Sequence, residues 1–73
     1  MSTELRRVAE LADRLADRTL VAFEQGALTT EEFRASPDVA LVIDAARLLH
    51  AAGADFPAGV VRLAQKAAEQ TQL

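Results

Sequence analysis

Apolar residues recur along this 73-residue chain with helical spacing, and nowhere with the alternation of a strand. From Glu4 to Gln25, Leu5, Val8, Ala12, Leu15, Ala22 and Phe23 fall on one side of a helix, with Ala9 and Ala16 beside them. Glu10, Asp13, Asp17 and Glu24 lie opposite, and Arg7, Arg14, Arg18 and Gln25 form a second polar stripe next to Leu11. Gly26 stands where a helix of this length needs a residue in the left-handed region to end it. Leu28-Thr29-Thr30-Glu31-Glu32-Phe33 then carries a helix start: Thr29 and Glu32 have the spacing of a capping box, and Leu28 and Phe33 that of a hydrophobic staple. This second, short helix is predicted over 30–35. Ser36 stops it, because a residue before proline avoids the helical region, and caps the next helix with Pro37 in its first turn.

The third helix, 37–52, is apolar almost all round. Val39, Leu41, Val42, Ile43, Leu48 and Leu49 leave only a narrow polar strip at Asp44 and Arg47. Such a helix is either buried on most sides or offers a second apolar face to a partner. Gly53 ends it. A fourth helix, 57–71, is expected to open with Asp55 or Phe56 as cap and Pro57 in its first turn. It is cleanly amphipathic: Val60, Val61, Leu63, Ala64, Ala67 and Ala68 face one way, Arg62, Gln65, Lys66, Glu69 and Gln70 the other. Fraying is expected near Thr71-Gln72-Leu73. The fold class is therefore all-α: one helical domain over 1–73, a small bundle of three long helices plus one short helix between the first and second long ones.

Composition narrows what such a bundle can do. Half of the residues are hydrophobic, but 16 of them are Ala and only three are aromatic, so the core has little bulk. The chain has no Cys and one His, which leaves no disulfide, no thiolate zinc site and no multi-histidine metal site. Domains below ~80 residues commonly need a staple, and with disulfides and metals gone the one that remains is self-association or docking on another protein. The net charge of −3 opposes a general affinity for nucleic acid. Nothing in Met1–Arg7 resembles a signal peptide, and Asp44 and Arg47 break the longest apolar run, so a cytoplasmic protein without membrane contact is expected.

Candidate chemistry is sparse. His50 has Asp44 six residues away on another face, and its position near a helix end suits bonding to terminal carbonyls. Glu10, Asp13 and Asp17 read as a solvated face, Glu31 and Glu32 as acids at the positive end of a helix dipole. No catalytic, cofactor or metal set can be assembled, so no enzyme is expected. In size, acidity and helical content the chain is similar to an acyl carrier protein, but Ser36 lies between Ala35 and Pro37 and lacks that family's Asp-Ser-Leu context. The stretch from Gln25 to Phe33 resembles the Gly-x-Ile/Leu-Thr-x-Glu-Glu-Phe turn of small SHOCT-like oligomerisation modules; the likeness is confined to helix-stop and helix-start residues and assigns no family.

The expectation is a protein-interaction module, a regulatory, inhibitory or accessory subunit that forms a homodimer or docks on a larger partner. Its contact residues would be the surplus apolar ones of the third helix, Val39, Val42, Ile43 and Leu49, with Arg7, Leu11, Arg14 and Arg18 at the rim. The alternative is a nucleic-acid-binding regulator that uses the last helix, through Arg62, Gln65 and Lys66, or the Arg stripe.

Overall fold

The computed structural model describes residues 2–71 and consists of four helices: α1 (Thr3–Glu24), α2 (Thr30–Ala35), α3 (Pro37–Ala51) and α4 (Ala58–Thr71). The fraying expected of Gln72 and Leu73 falls outside the described residues. No described helix is long and apolar enough to cross a membrane.

Local chemistry sets most of the boundaries. α1 and α3 end in the same way. Past α1, Gly26 has φ +79°, its N–H reaches Phe23 O and that of Ala27 reaches Ala22 O at 2.8 Å. Past α3, Gly53 has φ +71°, and the equivalent bonds run to His50 O and to Leu49 O. These are Schellman caps, which need a residue that tolerates the left-handed region. At the start of α2, Thr29 N–H donates to Glu32 Oε1 at 2.9 Å and Glu32 N–H to Thr29 Oγ1 at 3.1 Å, completing the capping box. Hydrogen bonding from Thr29 to the Glu32 carboxylate, from the backbone N–H first and the side chain second, holds that carboxyl below the usual glutamate range. Ser36 is extended, with φ −64° and ψ 126°, and its hydroxyl accepts from Asp38 N–H and Val39 N–H.

Packing is organised by α1, which lies along both α3 and α4. Its innermost residues are small: Ala9, Ala12 and Ala16, followed by Thr19 and Leu20. The buried Thr19 hydroxyl donates to Leu15 O at 2.8 Å, so it adds no unsatisfied group. The bulk comes from elsewhere: Phe33 of α2, Val42 and Leu49 of α3, and Val60 and Leu63 of α4. Phe33 stacks on Phe23 with ring centroids 4.5 Å apart, tying the end of α1 to α2. The buried arc of α1 is thus centred further toward α4 than the apolar pattern alone suggests. Val8 and Leu15 lie at its edge on the α3 side, and Leu5 and Phe23 are half-buried near the two ends of the helix.

α4 departs from expectation at its start. It begins at Ala58, one residue later, and Pro57 accepts through its carbonyl the first helical bond, from Val61 N–H at 3.1 Å. Neither Asp55 nor Phe56 caps it. The cap comes from α1: Gly59 N–H donates to Asp13 Oδ1 at 2.7 Å. Beside it, Arg62 donates to Asp17 Oδ1 at 2.6 Å. Asp13 and Asp17 are therefore not a solvated face; they hold the start of α4 against α1. The helices meet so closely here that a Cβ on Gly59 would sit 2.5 Å from Asp13 Oδ1 and 2.9 Å from Asp13 O. At the far end of α4, Arg34 of α2 donates to Gln70 O, one of the carbonyls a helix terminus leaves open.

Two outcomes follow from these contacts. Gly59→Ala gains up to about 1 kcal/mol of helix propensity, yet it should lose about 1–3 kcal/mol overall by forcing α1 and α4 apart. Thermal unfolding followed by circular dichroism measures the net, and a midpoint at or above the wild type contradicts the close approach. Glu32 has a lowered pKa in the fold, so its stabilisation is complete above the ordinary glutamate range and is lost as pH falls through the lowered value. Glu32→Gln should flatten the acid limb of the stability–pH curve.

Candidate functional site

The third helix divides its apolar residues between two environments. Val39, Val42 and Leu49 are buried in the chain's own core, and Ile43 packs partly buried against it. These four, expected at an interface, are thus occupied within the protomer. The geometric reason is that Val42 and Leu49 face the core, while Val39 and Ile43 border Phe33 of α2 and Ala67 of α4. The apolar residues that α3 leaves in solvent are Leu41, 58% exposed, and Leu48, 52% exposed and seven residues further along the same side. On α1 the matching residue is Leu11, at 54%. These are the three most exposed large apolar side chains among the described residues; Leu11 and Leu41 border one groove between α1 and α3, and Leu48 continues the α3 stripe two turns beyond it.

Between Leu11 and Leu41 runs a shallow apolar groove of about 190 Å³, whose walls are Val8, Leu11 and Leu15 of α1 and Leu41 and Ala45 of α3, with Ala12 and Val42 at its floor. Along its outer α1 edge stand Arg7, Arg14 and Arg18, all exposed. Arg7 and Arg14 flank Leu11 together with Glu10. Among the described ion pairs none involves these three arginines; Asp13 and Asp17 are turned toward α4, and Glu10 lies among the stripe. On the outer α3 edge, Asp44 and Arg47 make a loose pair at 3.8 Å, both widely exposed. Such a pair contributes less than about 1 kcal/mol and leaves both groups open to other partners.

The remaining features offer less chemistry. A depression of about 440 Å³ between α1 and α4 is lined by Asp17, Glu24, Arg62, Lys66 and Glu69 with Leu20, Val21 and Gln65. Its charges already neutralise one another: Arg62 with Asp17, and Lys66 with Glu69 at 3.6 Å. The two cations that a nucleic-acid reading assigns to the last helix are thus engaged within the chain. His50 is exposed, and its ring lies tilted against Phe56 with centroids 6.4 Å apart instead of bonding the terminal carbonyls of α3. Among the described residues, no three His, Cys, Asp or Glu side chains converge to hold a metal ion.

Of the residues expected at a contact surface, Arg7, Leu11, Arg14 and Arg18 are exposed, whereas Val39, Val42 and Leu49 lie in the core and Ile43 is half-buried. Leu41 and Leu48 lie a heptad apart, a spacing that marks a separate stripe on a helix already supplied with a core face. Gly59 inside an apolar helix was the available sign that another backbone or side chain comes close there. No protein-family model, no curated protein and no solved structure matches the chain.

The division of α3 has a direct test. Val42→Asp puts an unpaired carboxylate where the side chain is 1% exposed and should destabilise by about 3 kcal/mol or more. Leu41→Asp, one residue earlier, should retain the helical circular dichroism of the wild type. Equal damage from both would mean that Leu41 is not on the surface.

Proposed function

We propose that this chain is a protein-interaction module, acting as a regulatory, inhibitory or accessory subunit and not as an enzyme. Its contact surface is the α1/α3 face: an apolar strip of Leu11, Leu41 and Leu48 at the centre, with Arg7, Arg14 and Arg18 at the rim. The observation that carries this reading is that Leu11 and Leu41, the two most exposed large apolar side chains among the described residues, line one groove, with Leu48 exposed two turns further along α3. Scattered exposed leucines need no explanation, but a contiguous strip bordered by charge is how an interface core and rim are built. Arg7, Arg14 and Arg18 supply the orientation, since guanidinium groups that make no ion pair among the described residues keep their donors for carboxylates of another surface.

The Arg stripe also keeps a second reading in play, contact with a nucleic-acid backbone. It is the weaker one, because Arg62 and Lys66 are neutralised within the chain and Glu10 sits among the stripe.

Capture from nuclease-treated lysate separates the two. The tagged wild type should retain a stoichiometric protein, whether a second copy or another chain, and Leu11→Glu should lose it while keeping its helix content. Retention on heparin with a steep salt dependence, and no captured protein, would replace this reading with the nucleic-acid one. Capture unchanged in Leu11→Glu moves the contact surface elsewhere.

A further inference from the structure

Resting on that reading of the α1/α3 face, we propose that its occupant is a second copy of this chain, related by a two-fold axis parallel to α1 and α3. In this arrangement α1 of each copy packs on α3 of the other. The levels along the helices come from the fold. Leu5 borders Ala52 and Asp55, while Leu15 and Leu11 border Leu41 and Ala45, so α1 and α3 run antiparallel. A two-fold along their common direction preserves these levels and exchanges the helices. The result is a four-helix layer in which every neighbour is antiparallel, the commonest geometry for bundles with favourable dipole pairing.

The apolar residues fit this operator. Leu11 comes level with the gap between Leu41 and Leu48 of the partner subunit, a heptad apart, and enters it as a knob enters a hole. The operator does this twice, so each protomer covers the other's exposed leucines.

The charges choose the same operator over its main rival. Turning the axis perpendicular to the helices would lay α1 on α1 and oppose Arg7, Arg14 and Arg18 to the same three groups of the other copy. With the axis parallel, Arg14 comes level with Asp44 of the partner subunit, and Glu10 with Arg47 of the partner subunit. Both residues of the loose Asp44–Arg47 pair thereby gain an opposite charge. Like charges across an interface cost several kcal/mol, whereas opposite ones fix its register. The area is sufficient: the long faces of the molecule measure 36 Å by 18–22 Å, of the order of the ~800 Å² per partner that a standard interface takes.

Light scattering on the pure protein at high micromolar concentration, combined with charge exchange, tests this. The wild type should have twice the 7.8 kDa mass of one chain. Leu41→Glu should be monomeric with unchanged helix content. Arg14→Asp alone and Asp44→Arg alone should each weaken association by roughly tenfold or more, and the two together in one chain should restore it. A dimer that survives Leu41→Glu, or whose double exchange restores nothing, overturns the arrangement. A monomeric wild type overturns the second copy as occupant. In that case, capture of a foreign protein that is lost in Leu41→Glu leaves the docking-face reading standing, and no Leu41-dependent capture removes both.

Discussion

The bond from Gly59 N–H to the Asp13 carboxylate decides more of this structure than any other single contact. α4 starts without a side-chain cap of its own, since Pro57 offers only a carbonyl, and its first turn would leave orphan amides. Asp13 supplies the acceptor from α1, at the positive end of the α4 dipole, and the bare Cα of Gly59 lets the helices come close enough to make the bond. Asp17 and Arg62 repeat the attachment one turn further on. Arg34 closes the opposite end of α4 on Gln70 O, so this helix is held at both ends by side chains from other helices.

That attachment explains the composition of α1. A helix that must touch two others along most of its length does so with small residues, and Ala9, Ala12 and Ala16 form its innermost line. Alanines bury little area at about 25 cal/mol per Å², so the bulk has to be supplied by the neighbours. Phe33 does this from a helix of only six residues, which is why the capping box and staple that fix α2 matter beyond their own local energy. The stacked Phe23–Phe33 pair then transmits the position of α2 to the end of α1.

The same attachment shapes the far face. Had Asp17 remained on a solvated stripe, it would have been a helical neighbour of Arg14, three residues before it. Committed to α4, Asp13 and Asp17 leave Arg7, Arg14 and Arg18 beside Leu11 with Glu10 as the acid among them. Exposed apolar surface and free guanidinium groups thus end up on the same side of the bundle, opposite the α4 junction. The functional proposal draws on this conjunction, not on the mere presence of leucines on a surface.

What the sequence determined by itself is what depends on near neighbours along the chain. Two Schellman stops at Gly26 and Gly53, the Thr29–Glu32 box and the double duty of Ser36 are all governed by residues within a few positions of one another. They placed the ends of α1, α2 and α3 to within a residue. The start of α4 and the split of α3 into core and exposed leucines were decided only by tertiary structure. A helix apolar on nearly every side has no internal reason to prefer Val42 over Leu41 for burial; the position of α1 and α4 makes that choice. Likewise an aspartate in the middle of a helix reads as solvent-facing until another helix brings an orphan amide to it, and that amide lies 46 residues away in the chain.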